Sequence, residues 1–300
     1  MRDPKKVLLI IFFAVIIFTA CNSSSVKFTS VDEFVKWLSA QPDNTADTSY
    51  SVKLKVSNIS GVNDVLKKNE NKFLSLDLSG SSLVSGSSFA YVEEDSFKDC
   101  TSLTNIILPN SVTSIGRVNL SAFGAFQGCT NLASITIPNS VTKIGECTFD
   151  ACISLTSITI PNSVTEIGSF AFFSCTSLTS VTIPDSVSSI GVGVFDSCTS
   201  LTSLIIPDSV TEVLHSTFRN CNSLTNITIP KSITFIDDVA FSNCTRLTSV
   251  TFAGTISSDS FLDYDTFPGD LRDKFYATDK TNGTPGTYTR EIDGSVWTRK

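Results

Sequence analysis

A block of 23 residues repeats through the middle of the chain, and no other feature constrains the fold as strongly. The repeat places a cysteine at that interval six times, at Cys129, Cys152, Cys175, Cys198, Cys221 and Cys244. A phenylalanine stands three residues before each of these cysteines, and a proline keeps the same spacing from Pro138 to Pro230. A fixed period in this range is typical of a solenoid, in which each coil buries its apolar face against neighbouring coils. This architecture favours an extended binding surface over a catalytic pocket.

Each repeat is expected to hold one strand, one shorter strand and a return turn, as residues 152–175 illustrate. Ile158 and Ile160 follow the period of two of a strand, and Pro161 ends that strand because it has no amide to donate. A second, shorter segment follows around Ile167. Burial of roughly 2 kcal/mol per apolar side chain is comparable to the entropy of ordering one coil. A single coil is therefore predicted to be unstable, whereas a stack of coils is stable.

The full repeat resembles a known class of leucine-rich repeats. Residues 175–198 read C-T-S-L-T-S-V-T-I-P-D-S-V-x-x-I-G-x-x-x-F-x-x-C, which is similar to the BspA-like, Treponema-type repeat. The resemblance covers about residues 73–252. It implies a β-rich solenoid of the leucine-rich-repeat type, with a parallel sheet on one face and short strands and turns on the other. Leu214 and Asp237 replace the usual Gly and Ala253 replaces the Pro, which predicts that the last two coils are less regular.

The same resemblance implies a function in binding. BspA-like proteins are associated with adhesion to matrix and plasma proteins such as fibronectin and fibrinogen. We therefore expect a cell-surface module that binds host or neighbouring-cell proteins through the solenoid surface. The alternative is a structural or periplasmic envelope lipoprotein with no external ligand.

Little in the sequence points to catalysis or to a cofactor. His215 is the only histidine, and it occupies a variable position of a regular coil. There is no glycine-rich phosphate loop and no C-x-x-C pair. A net charge of −7 and a pI near 4.8 argue against nucleic acid, which requires a basic stripe. We expect a non-enzyme with no cofactor and no metal site.

The N-terminus has the features of an export signal. Residues 1–20 carry three basic residues and an apolar run of twelve at 7–18, too short for a spanning helix of about 20 residues. Phe18-Thr19-Ala20-Cys21 resembles a bacterial lipobox, although Phe18 stands where Leu is usual. This predicts lipidation of Cys21, a tether at 21–25 and anchoring to the bacterial outer membrane, facing the cell surface. Ordinary cleavage near Ala20 is the alternative.

The cysteines predict a ladder of buried thiols rather than disulfides. Seven of the nine occupy equivalent positions on successive coils, from Cys100 to Cys244, so their side chains point the same way. They are expected to act as small apolar groups. A metal ladder is not expected, because no histidine accompanies them. Cys147 lies outside the register and is the expected accessible thiol.

The two flanks are interpreted as caps that cover the ends of the solenoid core. Residues 26–72 should form an N-terminal cap, with a helix after the capping-box residue Ser30, a strand at 50–56 and a second helix at 62–68. The solenoid should span 73–252. Residues 253–300, rich in aromatic side chains, should form a C-terminal cap with a short helix and a hairpin that turns at Asp293-Gly294. The alternative for this tail is an aromatic binding or sorting segment.

Two surfaces are candidates for binding. The first, here the strand-face strip, comprises the residues between the inward residues of each strand: Asn105, Ile107, Ser134, Thr136, Ser157, Thr159, Ser180, Thr182, Ser203, Ile205, Asn226 and Thr228, with Ser249 and Thr251 on the last strand. The strip is almost uncharged and lacks aromatics, so it should bind weakly, and keeping the sheet soluble is its alternative role. The second comprises insertions in two longer coils, with Phe89, Tyr91 and Phe123. Packing of these insertions on the N-terminal cap is the alternative.

Overall fold

The computed structural model describes residues 25–57, 61–82, 91–92, 96–117, 123–262, 265–292 and 294–300. Successive coils stack in parallel, so the predicted solenoid is confirmed. Ser157–Thr159 pairs with Ser180–Thr182, for example, and every residue meets its equivalent 23 positions later. No helix within the described ranges is both long and apolar enough to cross a membrane.

Two rows of parallel strands run along the solenoid. The row of longer strands comprises Val26–Phe28, Tyr50–Leu54, Leu74–Asp77, Leu103–Ile107, Ser134–Thr136, Ser157–Thr159, Ser180–Thr182, Asn226–Ile229 and Ser249–Phe252. The row of shorter strands comprises Tyr91–Val92, Ser114–Ile115, Lys143–Ile144, Glu166–Ile167, Ser189–Ile190, Glu212–Val213 and Phe235–Ile236. The predicted parallel sheet on one face, with short strands and turns on the other, is confirmed.

Stacked phenylalanine rings form one column of the core. The phenylalanine column comprises Phe97, Phe126, Phe149, Phe172, Phe195, Phe218 and Phe241, all at most 1% exposed. Neighbouring rings lie nearly parallel, with interplanar angles of 2° to 17° and centroids 5.1 to 5.7 Å apart. The column ends on Phe267 of the C-terminal segment, whose ring lies 4.4 Å from that of Phe241. The phenylalanine ring of each coil thus packs against the rings of the neighbouring coils.

The cysteines form a second column, and the prediction of buried, unbridged thiols is confirmed. The thiol column comprises Cys100, Cys129, Cys152, Cys175, Cys198, Cys221 and Cys244, all fully buried and free. From Cys129 onward, each Sγ donates to the carbonyl of the phenylalanine 26 or more residues earlier, at 2.9 to 3.2 Å. Burial raises the pKa of the Cys100 and Cys244 thiols to about 12. These thiols therefore join successive coils as hydrogen-bond donors, a role that the spacing alone did not predict.

The N-terminal segment extends the longer-strand sheet and covers its end. Helix Val31–Ser39 begins at Ser30, whose Oγ accepts the amide of Glu33 at 3.2 Å, as the capping box predicts. The Glu33 carboxylate returns to Thr29 rather than to Ser30. A 3₁₀ turn at Ala46–Thr48 precedes the strand Tyr50–Leu54, which pairs with Leu74–Asp77. The predicted second helix is present at Val62–Lys67.

The C-terminal segment closes the other end with an antiparallel hairpin. A 3₁₀ turn at Ser258–Ser260 and helix Leu271–Phe275 lead to strand Gly286–Thr289, which pairs with Ser249–Phe252 and with Thr298–Arg299. The hairpin covers the last open strand edge of the solenoid, where unpaired backbone groups would otherwise invite association.

The register of this hairpin is the one that a turn at Asp293-Gly294 predicts. Thr289 pairs with Thr298, so the register is centred between residues 293 and 294, and the Gly294 amide donates to the Glu291 carbonyl at 3.0 Å. Strand pairing ends at Thr289 and Thr298, and Asp293 itself lies outside the described residues. Arg290 donates to the carbonyls of Leu247 at 2.7 Å and Thr245 at 2.8 Å, and fully buried Trp297 donates its indole N–H to the Pro268 carbonyl at 2.7 Å.

Of the two coils that the sequence predicts to be less regular, the one that contains Leu214 is irregular. The amides of Gly168 and Gly191 donate to the carbonyls of the preceding coil at 2.8 and 2.9 Å, and a Cβ added to Gly191 would lie 2.4 Å from the Ser169 nitrogen. Leu214 carries such a Cβ. Among the described strands, Ser189–Ile190 and Glu212–Val213 do not pair, and the shorter-strand row divides at this point. The division of this row coincides with the Leu214 side chain.

The next coil is regular. The prediction that both of the last two coils are irregular is therefore wrong for the last one. The Asp237 amide donates to the Val213 carbonyl at 2.8 Å although Asp237 also replaces a glycine. Asn226–Ile229 pairs with Ser249–Phe252 over all four residues. Ala253, in the place of the usual Pro, donates its amide to the Ile229 carbonyl at 2.9 Å. Proline could not make this bond, so the substitution lengthens the pairing.

Candidate binding surfaces

The strand-face strip lies on the longer strands and is open to solvent over its middle. On the strands Ser134–Thr136, Ser157–Thr159 and Ser180–Thr182 the outer two residues are exposed and the central residue is buried. Asn226 and Thr228 are exposed in the same way. The alternation follows from the pleat of a strand, which turns successive side chains to opposite faces.

The two ends of the strip are covered, contrary to the prediction that every residue of it points to solvent. Asn105 and Ile107 are half-buried at one end, where the Asn105 amide donates to Ser75 Oγ at 3.1 Å. Ser249 and Thr251 are half-buried at the other end, because the C-terminal hairpin lies beside their strand. The open strip therefore runs from Ser134 to Thr228.

Ile205 interrupts the open strip. Its side chain is 81% exposed in a run of otherwise polar residues. The backbone there forms only an isolated bridge between Ser203 and Ser180, in the same coil as Leu214. The open strip is thus a patch of serine and threonine hydroxyls from Ser134 to Ser203, followed by exposed Ile205 and then by Asn226 and Thr228.

Two columns of threonines on this side of the solenoid differ in their hydrogen bonds. The hydroxyls of Thr179 and Thr202 each donate to a threonine carbonyl 23 residues earlier, at 3.1 and 3.2 Å. Within the described residues, the hydroxyls of Thr159, Thr182 and Thr228 have no protein hydrogen-bond partner. The second column therefore offers donors and acceptors to a ligand, whereas the first holds coils together.

Of the three insertion candidates, Tyr91 and Phe123 lie within the described residues and Phe89 does not. The proposed lipid-attachment residue Cys21 also lies outside them. Tyr91 begins the short strand Tyr91–Val92, which pairs with Ser114–Ile115. The ring of Phe123 is 45% exposed, and Lys98 Nζ lies 3.3 Å from its centroid. The Lys98 ammonium therefore occupies one face of the partly exposed Phe123 ring.

Two further surfaces were missed by reasoning from the sequence. Phe170 is 38% exposed and makes an edge contact with Phe173, with centroids 5.9 Å apart, and Ile153 is 43% exposed. These apolar residues stand where other coils have small or polar ones, and that departure was the available signal. An open cleft of about 570 Å³, lined by residues including Ser249, Arg290 and Lys300, lies beside the hairpin. No local motif marks this cleft, because it exists only once the hairpin folds back.

Comparison with known proteins identifies the repeat. The family model described as "BspA type Leucine rich repeat region" matches six copies, over residues 67–123 and 122–248. A search of curated proteins found no match. The matched residues include the strand-face strip from Asn105 to Thr228 and both columns of the core.

Solved structures of leucine-rich-repeat proteins are similar to this chain to different degrees. The crystal structure of a leucine-rich-repeat protein from T. pallidum is 32% identical, with a TM-score of 0.51, and the match covers 58% of this chain and 78% of that protein. A leucine-rich-repeat protein from Bacteroides ovatus is 29% identical with a TM-score of 0.47, over 59% of this chain and 43% of that one. A leucine-rich cell-surface protein from Faecalibacterium prausnitzii is 23% identical with a TM-score of 0.35, over 70% and 75% of the two chains.

Proposed function

The chain belongs to the family of BspA-type leucine-rich-repeat proteins, and we propose from that premise that it is an exported, membrane-anchored module that binds proteins at the cell surface. The observation that carries the proposal is the open strand-face strip, whose threonine hydroxyls at 159, 182 and 228 have no protein partner among the described residues. Binding rather than catalysis suits a surface of this kind, since it offers repeated polar contacts without an enclosed pocket.

The strip of a single molecule is expected to bind one partner weakly. Many copies together are expected to bind firmly to a surface that carries many partners. Interface hot spots favour Trp, Tyr and Arg, and the strip from Ser134 to Thr228 contains none of them. Many copies on one membrane would convert a weak contact into stable attachment, because the second and later contacts form at high effective concentration. The proposed partners are host matrix or plasma proteins or proteins on neighbouring cells.

Anchoring is the second part of the proposal. Lipidation of Cys21, followed by the polar tether at 22–25, would hold the solenoid on the bacterial outer membrane. Stable anchoring needs more than one acyl chain, which a lipoprotein N-terminus supplies. Cells fed a fatty-acid analogue should label the wild-type protein and not Cys21→Ser. Equal labelling of the two proteins would contradict the anchor.

The strip is tested by a charge scan against immobilised fibronectin and fibrinogen. Replacement of Thr159, Thr182 and Thr228 together by Lys should weaken retention on these proteins. A matched control replaces Asn162, Ser189 and Thr211 by Lys, which adds the same charge at exposed positions off the strip and should leave retention unchanged. Undiminished binding by the first variant, with loss on Phe123→Ser, would move the site to the insertions.

The alternative function is a structural or periplasmic envelope lipoprotein without an external ligand. It differs from the surface module in where the solenoid lies. Protease added to intact cells should degrade a surface solenoid and spare a periplasmic one. Protection in intact cells, lost when the outer membrane is opened, would favour the alternative.

A further inference from the structure

The single histidine of the chain lies beside two carboxylates on the turn side of the solenoid. His215 Nδ1 is 2.6 Å from Asp238 Oδ1, and these residues occupy the same position in successive coils, 23 residues apart. Asp237 adds a third group, and one ligand atom from each residue lies within 4.8 Å of the others. The three side chains are partly exposed, so solvent and solutes can reach them.

We propose that His215, Asp237 and Asp238 bind a divalent transition-metal ion, with Zn²⁺ as the expected ion. An imidazole nitrogen and carboxylate oxygens are ordinary zinc ligands at about 2.0 to 2.2 Å from the ion. Ligand atoms around one ion at such distances lie roughly 3 to 4 Å apart. Atoms that now lie between 2.6 and 4.8 Å apart reach this arrangement by small side-chain rotations. Water would complete the coordination on the exposed side.

The backbone holds the three ligands in place without help from the ion. The Gly193 amide donates to the His215 carbonyl at 2.9 Å, and the Asp237 amide donates to the Val213 carbonyl at 2.8 Å. Asp237 Oδ1 accepts the amide of Asp238 at 2.8 Å, which leaves its second oxygen for a ligand. The three ligands lie on turns that directly follow the short strands Glu212–Val213 and Phe235–Ile236, and these paired strands fix where the turns begin. The ion would therefore join two neighbouring coils at their surface.

The His215 imidazole distinguishes this cluster from a surface cluster made only of carboxylates. Calcium and magnesium prefer sites made wholly of oxygen, whereas an imidazole ligand favours zinc, nickel and copper. The equivalents of His215 in the three preceding coils are Glu146, Ser169 and Val192. The cluster is thus a feature of this coil and not of the repeat.

The proposal is tested on the full chain in detergent, with accessible thiols alkylated and metal removed by a chelator. Zn²⁺ titrated into this protein should bind one ion per chain by calorimetry. Because His215 is the only histidine, labelling of histidine nitrogen gives one imidazole signal by NMR, and that signal should shift and saturate with Zn²⁺. Millimolar Mg²⁺ or Ca²⁺ should not displace the zinc.

Variants distinguish the cluster from other sites. His215→Gln should abolish the binding event, and Asp238→Asn should weaken it by at least about tenfold. Asp185→Asn, a matched change at an exposed acid in another coil, should leave it unchanged. Undiminished zinc binding by a folded His215→Gln would overturn the proposal. So would a wild-type imidazole signal that does not respond to millimolar Zn²⁺, a readout that needs no variant to fold.

Discussion

The core columns and the strand-face strip repeat with the same period of 23 residues, yet they differ in what each residue contacts. In the phenylalanine and thiol columns each member contacts the coil on either side, as when Phe172 stacks on Phe149 and Phe195 and Cys175 Sγ donates to the Phe149 carbonyl. On the strip, Thr159 and Thr182 lie on paired strands, but their hydroxyls make no protein hydrogen bond within the described residues.

The difference shows what a repeat can and cannot indicate. In the core, the period is enforced by packing, because a coil with a different side chain would leave a cavity against two neighbours. On the strip, the period needs only that every second residue of a strand faces solvent and stays polar. Repetition in the core is therefore evidence for the fold. Repetition on the strip is compatible with binding and equally with solubility.

The largest change in the free energy of unfolding is expected at alkaline pH, which affects the ionisable groups of the thiol column and not the hydroxyl groups of the strip. Burial raises the pKa of the thiols, to about 12 for Cys100 and Cys244, whereas in the unfolded chain they ionise near pH 9. Above about pH 9 the thiols of the unfolded chain lose their protons, whereas the buried thiols of the folded chain keep them. The stability from these thiols is full below pH 9 and is lost as the pH rises toward 12. The loss should be on the order of 1.4 kcal/mol per thiol for each pH unit.

Urea unfolding between pH 8 and pH 11, under reducing conditions, measures this loss. Replacement of Cys152, Cys175 and Cys198 together by Ala should make the stability fall less steeply with pH, since three titrating groups are removed. Lysine and tyrosine ionisation, shared by both proteins, cancels in the comparison. An identical slope for the two proteins would show that the thiols are not responsible.

The next largest effect is expected from Phe172→Ala, in the middle of the phenylalanine column. The ring is fully buried and lies 5.3 and 5.6 Å from its two neighbours, so its loss opens a cavity between three coils. The free energy of unfolding should fall by about 3 to 5 kcal/mol. Thr159→Ala on the strip should change it by less than about 0.5 kcal/mol. Similar losses in urea unfolding would remove the distinction between core and strip.

The fold could be predicted from the sequence because its main determinants are local and repeated. The strand around Ile158, the break at Pro161 and the burial of Phe172 and Cys175 all follow from one 23-residue unit. The N-terminal helix followed from the capping residue Ser30, whose hydroxyl accepts the Glu33 amide as expected. Each of these depends on residues a few positions apart.

What could not be predicted depends on residues far apart in the chain. The hairpin register followed from Asp293-Gly294 read locally, but the bonds from Arg290 to carbonyls more than 40 residues earlier could not be read in this way. The two ends of the strip are covered by distant segments, the strand Leu74–Asp77 at one end and the C-terminal hairpin at the other. His215 looked isolated because its partners Asp237 and Asp238 lie one coil later, and only stacking brings them together.

A smaller loss of stability is expected when one cysteine of the thiol column is replaced by alanine. Cys175→Ala removes a buried sulfur and its bond to the Phe149 carbonyl, so the free energy of unfolding should fall by about 1 kcal/mol. Cys147 is only half-buried and lies outside the thiol column, and Cys147→Ala should have little effect. Alkylation of the folded protein should likewise modify Cys147 and spare Cys175. Equal losses for the two variants would mean that position in the column has no influence on stability.

The smallest change in the free energy of unfolding is expected from charges placed on the strip. The dependence of this change on salt concentration tests the prediction better than its size does. Thr159 and Thr182 are direct partners on neighbouring strands, so lysines at both positions repel each other, by an amount on the order of 0.5 kcal/mol. Exposed charges are screened by salt, so the loss of stability should disappear at about 1 M salt. Thr159→Lys with Thr182→Glu places opposite charges at the same two positions and should not be destabilised at low salt. If instead both double variants lost several kcal/mol at every salt concentration, these side chains would belong to the packed structure, and the strip would not be a free surface.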